Sequence, residues 1–174
     1  MDKNTLIRLF SKKRLSSFKD ENEHINNFLL MQTLAPKLGI LEIVTRNKIA
    51  KILSLNDDEF ISKQTFGYWA KLINQAKIHN ALIDLKEVDF RKYSKFNKKA
   101  NWLNFQKVKI TYDLALTLRN RAFHFENLLK TNGIYPRIST KVCKNVVGID
   151  PANLEIFLDD ILDCFNVGLK DYLK

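Results

Sequence analysis

The chain is poor in the residues that form tight turns. Its 174 residues include only 5 glycines and 3 prolines. Few turn formers, combined with many leucines, isoleucines, lysines and asparagines, favour helices over repeated hairpins. The length suits one domain with a substantial core. We therefore expect an all-α fold and a single domain over residues 1–174.

Metal and redox chemistry have few candidate residues. The chain has 2 cysteines and 3 histidines. Cys143 and Cys164 lie far apart, and no histidine stands at ligand spacing from another histidine or a cysteine, so we expect no metal site and no cofactor. Thiols in a reducing cytosol explain the cysteines, and a disulfide or a reactive thiol is the alternative. A glycine-rich phosphate loop and a nucleophile-elbow serine are also missing.

Long apolar segments are missing as well. The N-terminus lacks the apolar region of a secretory signal, and no apolar run approaches the ~20 residues of a membrane span. We expect a cytoplasmic protein without stable membrane insertion. The basic run Ser11–Arg14 indicates a solvated, flexible start, with membrane-surface or phosphate contact as the weaker alternative.

Positive charge is abundant, with 29 basic and 19 acidic residues and a net charge of +10. This excess favours RNA, DNA or an anionic membrane surface as partner, although an AT-rich genome would also inflate lysine and asparagine. Aromatic residues alternate with cations near Lys95, Lys98 and Lys99. Such a surface stacks bases and neutralises phosphates, so these lysines are candidate RNA contacts. A short amphipathic helix with buried aromatic residues is the alternative.

Apolar residues at helical spacing predict the main helices. They cover His24–Leu34, Leu38–Leu53, a segment capped by Thr65, Trp102–Phe123 and a last segment opened by Asp150 and Pro151. Pro36 should end or kink the first of these, because proline cannot donate its backbone hydrogen bond. The helix over 102–123 is apolar on two sides, which indicates a central position. Arg119 falls within its apolar stripe and must find a partner or reach water.

The segment from Leu116 to Asn127, LTLRNRAFHFEN, concentrates the candidate chemistry. Asn120 and His124 share a helical face. Arg119 and His124 are five residues apart, about 140° around a helix of ~3.6 residues per turn. A straight helix does not aim both side chains at one atom. Either the helix ends between them, or a second copy of the chain supplies the missing partner.

These residue types suffice for metal-independent RNA cleavage. His124 can transfer a proton near neutral pH, and Arg119 can hold phosphate oxygens and stabilise the charge of the transition state. Asn120 can orient the imidazole. The RNA 2′-hydroxyl then attacks its own phosphate, with two copies of His124 across a two-fold axis as acid and base. An ion-paired Arg119 and a surface His124 without catalytic role form the alternative.

Three stretches together resemble a known family. LRNRAFHFENL resembles the signature of HEPN domains, in particular the Abi-like (AbiD/AbiF-type) abortive-infection proteins, in which Arg-Asn is followed by two or three variable residues and then His. Leu41–Ser54 resembles the upstream Arg-Asn helix of that family, and Gln64–Asn74 resembles its Thr-Phe-Gly turn into a helix. The three stretches occur in the order of the family.

The resemblance implies an all-α HEPN-like helical bundle with additional short helices, often a homodimer whose motifs meet at the interface. It implies a metal-independent endoribonuclease in phage defence or toxin–antitoxin biology, with RNA as substrate and an antitoxin as a candidate partner. Carried over by position, the catalytic residues are Arg119, Asn120 and His124. The auxiliary residues are Arg46, Asn47 and Glu126, and Arg121 joins the three lysines as an RNA contact.

Two positions depart from the family pattern. Many Abi-like members have a second histidine where this chain has Phe125, and HEPN toxins silenced by nucleotidyltransferases often have tyrosine where it has Glu126. The second departure disfavours regulation by tyrosine modification. A non-catalytic RNA- or protein-binding helical module and a membrane-associated abortive-infection factor remain the alternative functions.

Overall fold

The computed structural model describes residues 2–172 of the chain. In chain order the α-helices are α1 (Lys3–Phe10), α2 (Lys12–Leu15), α3 (Glu21–Ile52), α4 (Asp58–Lys63), α5 (Phe66–Gln75), α6 (His79–Leu82), α7 (Asn104–Phe123) and α8 (Leu154–Phe165). Short 3-10 helices cover Phe90–Lys92, Pro151–Asn153 and Leu169–Asp171. The strands are β1 (Thr131–Asn132), β2 (Tyr135–Pro136), β3 (Ile138–Val142) and β4 (Asn145–Ile149).

The fold is mostly α-helical, and the expectation of an all-α fold needs correction. Strands β1 and β2 form one antiparallel hairpin, and β3 and β4 form another. The second hairpin turns through Cys143 and Lys144, whose φ angles are 49° and 65°. A two-residue turn with both φ angles positive matches the right-handed twist of paired strands. The turn lacks the Asn-Gly or Asp-Gly pair that usually marks it in a sequence.

Helix α3 runs unbroken through Pro36, so the prediction of two helices separated at this proline was wrong. Pro36 and Gln32 both lie on the exposed side of the helix. The carbonyl group that loses its hydrogen bond to position 36 therefore faces water, which lowers the cost of the missing donor. One continuous helix of 32 residues results.

Helix α7 lies at the centre, as its two apolar sides predicted. It packs against α3, α5, α6 and β3. Val108, Leu114 and Leu118 are fully buried on it, whereas Phe123 at its end is 51% exposed. Trp69 on α5 is also fully buried and belongs to the core.

Helix α3 also contains a longer apolar segment than we expected from the sequence, which had shown no run close to the length of a membrane span. By length and composition alone it contains an 18-residue window able to cross a membrane, of which 28% is buried inside the fold. A core helix passes the same test, and α3 packs against α5, α7 and α8. The buried hydroxyls of Thr45 and Tyr112 lie 2.7 Å apart and join it to α7.

The segment from Ile83 to Ala100 is largely irregular and is not the amphipathic helix considered as an alternative. Phe90 and Tyr93 within it are buried, as that alternative required of its aromatic residues. The Asn97 amide donates to the carbonyls of Phe90 (2.6 Å) and Gly148 (2.8 Å) and accepts from the Gly148 amide (2.9 Å). These bonds fix the lysine-rich loop against β4.

Candidate functional site at the end of α7

His124 lies at the end of α7, where the helix stops. The helix ends at Phe123, and His124 is its C-cap, with a backbone amide that donates to the Asn120 carbonyl at 3.1 Å. The next residue, Phe125, has a φ of 52°. A left-handed residue after the cap is a common way for a helix to end. The helix therefore ends between Arg119 and His124, which is one of the two solutions expected from their spacing.

The imidazole of His124 is exposed to solvent. Within residues 2–172 it makes no hydrogen bond and no ion pair. A free imidazole is available to a substrate or to a second chain. The same position also suits a surface histidine without a catalytic role.

The N-terminal segment holds the backbone around His124. Arg14 on α2 donates to the carbonyls of Phe125 at 2.6 Å and His124 at 3.4 Å. Asn127, three residues after His124, donates to the Ser17 carbonyl at 2.6 Å. The basic run was expected to be solvated and flexible, but the structure forms it into a helix and attaches it to the site. These partners lie 110 or 111 residues apart in sequence, so no local signal predicts them.

Arg119 lies between α7 and α3, next to Glu42. Its Nε atom is 3.8 Å from a Glu42 carboxylate oxygen, and its guanidinium carbon is 5.0 Å from the centre of the Phe123 ring. The side chain is 33% exposed, yet its Nε atom is buried without a hydrogen bond. Glu42 is thus the partner that an arginine within an apolar stripe requires, and part of the guanidinium still reaches water.

Arg46 and Asn47 are separated by the geometry of α3. Arg46 follows Glu42 by one helical turn, on the same face, and its Nε atom is also buried without a hydrogen bond. Arg46 and Glu42 form no ion pair within 4.0 Å among residues 2–172, so the structure pairs Glu42 with Arg119 alone. Asn47 is exposed and borders a different groove, next to Lys48 and the end of α8.

Asn120 is exposed beside His124. The hydrogen bond between these two residues joins backbone atoms, and the side-chain bond to the imidazole that the sequence suggested is not formed in the described structure. Both residues lie at the same end of the helix, as their i, i+4 spacing predicts.

Glu126 is the centre of an ion-pair cluster. A carboxylate oxygen accepts from Arg121 at 2.6 Å and also from Arg137. Burial alone raises the pKa of Glu126, but the hydrogen bond from Arg137 and the charges of both arginines outweigh it and hold the pKa below its ordinary value. Glu126 is therefore ionised at neutral pH. Arg121, expected to contact RNA, is instead paired with it.

An apolar groove of about 390 Å³ lies beside the site. Phe28, Leu29, Phe123 and Phe125 line it, and all four are at least 37% exposed. Side chains of this kind, clustered on a surface, mark an interaction site more often than isolated ones do.

His24 lies near the site, and no sequence pattern predicts this position. This histidine is 5% exposed and packs against Phe10, Phe18 and Phe28, at ring distances of 5.0, 4.6 and 5.0 Å. Phe28 in turn contacts Phe125 at 5.8 Å. Burial, followed by the positive charge of Arg14, lowers the pKa of His24. Its neutral ring connects the N-terminal helices to the loop after His124.

The three lysines expected to contact RNA lie in the loop before α7, away from the end of the helix. Lys95 lies over the Phe96 ring at 5.3 Å, and Lys99 lies over the Trp102 ring at 4.1 Å. Lys98 is exposed. The structure therefore separates the lysine-rich surface from Arg119 and His124.

Neither cysteine has a disulfide partner. Cys143 is exposed and Cys164 is half-buried, and burial raises the pKa of the Cys164 thiol. Within residues 2–172, no group of three or more histidine, cysteine or acidic side chains is placed to hold a metal ion.

Comparison with protein-family models, with curated proteins and with solved structures finds no match to this chain. The resemblance to HEPN domains therefore rests on the sequence stretches quoted above.

Proposed function

We propose that this chain is a metal-independent endoribonuclease of the HEPN type, related to the Abi-like abortive-infection proteins and acting in phage defence or with an antitoxin. The observation that carries the proposal is the exposed, unpaired imidazole of His124 at the end of α7, in the same motif as Arg119. The proposal places the protein in the cytoplasm.

In this reaction the RNA 2′-hydroxyl attacks the adjacent phosphorus and loses its proton to one imidazole. The bond from phosphorus to the 5′-oxygen breaks, and a second imidazole in the protonated form donates a proton to that oxygen. The products are a 2′,3′-cyclic phosphate and a 5′-hydroxyl. The Arg119 guanidinium stabilises the extra negative charge on phosphorus oxygens, and Asn120 orients the substrate or the imidazole. Arg46 has an auxiliary role, whereas Asn47, at a different groove, has none in this proposal.

One chain supplies one such histidine, so the reaction favours a homodimer. The apolar groove lined by Phe28, Leu29, Phe123 and Phe125 lies directly beside the motif. A second copy packed on this groove would cover exposed apolar surface and bring a second His124 close to the first. Burial of this surface would stabilise the dimer at roughly 25 cal/mol per Å² before the costs of association are subtracted.

The experiment is cleavage of a mixed RNA pool in EDTA by the wild-type chain, His124→Ala and the control His79→Ala. His79 bonds to Asn74 at 3.0 Å, far along the chain from the motif. We expect the wild type and His79→Ala to cut and His124→Ala to lose at least about 100-fold in rate, the usual range for removing an acid–base group. Equal cutting by His124→Ala would rule out this site.

A non-catalytic RNA-binding module is the second candidate, and the lysine-rich loop favours it. Lys98 and Lys99 lie away from His124, so binding there does not require the motif. This function predicts that Lys98→Glu with Lys99→Glu abolishes RNA binding, and that no RNA is cut by any variant. Retention of RNA binding by the lysine variant would argue against it.

A further inference from the structure

A cationic pocket lies between the loop before α7 and the β3–β4 hairpin. Its volume is about 230 Å³. The side chains that carry the argument are Phe96, Lys98, Lys99, Trp102, Tyr135 and Lys144. We call it the Tyr135 pocket. The residues that line it in the described structure include no acidic side chain.

The positive charge of the Tyr135 pocket is not neutralised locally. Lys98 and Lys144 are exposed and have no acidic partner within 4.0 Å among residues 2–172. Lys99 lies over the face of Trp102 at 4.1 Å. Lys37 and Lys92, by contrast, each pair with an aspartate of α8. The uncompensated lysines therefore create a local positive potential that attracts phosphate groups.

Tyr135 offers an aromatic face at the wall of the pocket. It is 38% exposed, and its ring centre is 5.7 Å from that of Phe96 at an interplanar angle of 62°. This contact supports the tyrosine and leaves more than a third of the residue exposed. Trp102 is 7% exposed and donates from Nε1 to the Lys99 carbonyl at 3.1 Å, so it forms a wall rather than a platform.

The pocket is held in place before any ligand arrives. Asn97 makes three hydrogen bonds that fix the loop of Lys98 and Lys99 to the backbone of β4 and to Phe90. Lys144 lies on the two-residue turn between β3 and β4. A site that is already ordered loses less conformational entropy on binding.

We propose that the Tyr135 pocket binds one base of a single-stranded nucleic acid by stacking, while Lys98, Lys99 and Lys144 neutralise the flanking phosphates. Charge alone would suit an acidic peptide or a lipid surface. A partly exposed tyrosine at the wall of a base-sized pocket favours a strand whose bases are unpaired, because every base can stack on a ring. We expect the strand to be RNA because this inference rests on the proposed function, in which RNA is the substrate.

The pocket is a contact separate from the cleavage site. The hairpin turn reaches the start of α7, where Gln106 Nε2 lies 3.6 Å from Cys143 Sγ. His124 follows Gln106 by 18 residues, about 27 Å along a helix at 1.5 Å per residue. A strand that reaches both places must span several nucleotides, so the pocket selects for unpaired RNA of sufficient length.

The test measures binding of a fluorescent 12-nucleotide oligouridine by anisotropy, in EDTA, on the His124→Ala background so that the probe stays intact. A matched probe carries the same phosphates with abasic sugars. We expect Tyr135→Ala to weaken oligouridine binding about 5- to 150-fold and Tyr135→Phe to preserve it. We also expect the abasic probe to bind more weakly than oligouridine.

A second pair of variants tests the phosphate contacts. Lys98→Ala with Lys144→Ala should reduce the slope of log affinity against log salt by about 1.4, since each lost phosphate contact on a single strand contributes about 0.7. The control is Lys51→Ala with Lys71→Ala, which removes two exposed lysines from α3 and α5. Equal effects of the two pairs would overturn the site, because net charge would then explain the binding.

Equal affinity for oligouridine and the abasic probe would also overturn the proposal, as would equal competition by polyglutamate and unlabelled oligouridine. No binding of oligouridine would do the same. These outcomes are distinct from failure of the nuclease. RNA cutting by the wild type with no effect of Tyr135→Ala on binding removes only the pocket, whereas oligouridine binding that depends on Tyr135 without any cutting by the wild type removes only the nuclease.

Discussion

Arg119 on α7 and Glu42 on α3 face each other across the helix interface, with 3.8 Å between Nε and the nearest carboxylate oxygen. The distance is long for a hydrogen bond, and both side chains are partly exposed. Such a pair contributes only about 0–1 kcal/mol to stability. Arg119 is therefore held in position within the motif, and its guanidinium stays available because the ion pair with Glu42 is weak.

Glu42→Gln removes the carboxylate next to Arg119 and should leave stability almost unchanged, within about 1 kcal/mol in the free energy of unfolding. The KM for RNA should fall, because the guanidinium no longer shares its charge with a protein carboxylate. Urea unfolding and cleavage kinetics check this. A loss of several kcal/mol with no change in KM would show that Arg119 serves mainly as a structural ion pair.

Arg14→Ala should slow RNA cleavage more than it destabilises the fold. The substitution removes the donor to the carbonyls of His124 and Phe125, so the loop that carries the imidazole becomes less ordered. The control is Lys13→Ala, which removes the same charge from the same short helix. We expect a lower kcat for Arg14→Ala only. Equal losses in the two variants would assign the effect to charge.

Stability should fall as the pH drops from about 7.5 to 5.5, in part because of His24. Its pKa in the folded protein is below the ordinary 6.5 because of burial and Arg14, with an opposing contribution from Glu21. In this window the unfolded chain binds more protons, so stability rises with pH. The slope from one histidine is at most about 1.4 kcal/mol per pH unit.

The matching variant is His24→Leu, measured by urea unfolding at several pH values. Its free energy of unfolding should depend on pH less steeply than that of the wild type. Some dependence should remain, since His79 also has a lowered pKa from burial and from Lys109. An unchanged slope in His24→Leu would show that His24 is not the titrating group.

Leu29→Glu places a charge in the apolar groove beside the motif and should convert a dimer to a monomer. Leu29 is 55% exposed, so the isolated fold should tolerate the change. Ile156→Glu on α8 is the control, at 42% exposed. Sedimentation equilibrium should report a dimer for the wild type and for the control, and a monomer for Leu29→Glu with reduced cleavage. A monomeric wild type that cleaves RNA would contradict the dimeric site.

Local signals in the sequence predict those parts of the fold that depend on neighbouring residues. Apolar spacing gave α7 within two residues of its observed bounds, and Thr65 caps α5 through a hydrogen bond of 3.3 Å from the Tyr68 amide. The prediction at Pro36 was wrong because the effect of a proline on a helix depends on whether the carbonyl group that it leaves unpaired faces water. Some extended structure is expected between Thr131 and Asn145, but the β3–β4 hairpin itself is not predicted, because its turn residues are Cys143 and Lys144.

The candidate site likewise combines features that local sequence predicts with contacts that it does not predict. The motif located His124 at the end of a helix, but the partners of the site come from distant parts of the chain. Arg14 and His24 reach it through the N-terminal helices, and Arg137 reaches Glu126 from the start of β3. These contacts depend on tertiary packing, which no short spacing in one sequence encodes.

The most direct test of the central claim is the chemistry of the cut ends at a mapped cleavage site. The wild-type chain in EDTA should leave a 2′,3′-cyclic phosphate and a 5′-hydroxyl, and an RNA with a single 2′-deoxy sugar at that position should resist cutting there. His124→Ala should produce neither end. Cleavage of the 2′-deoxy substrate, or 5′-phosphate products, would contradict attack by the 2′-hydroxyl and with it the role given to His124.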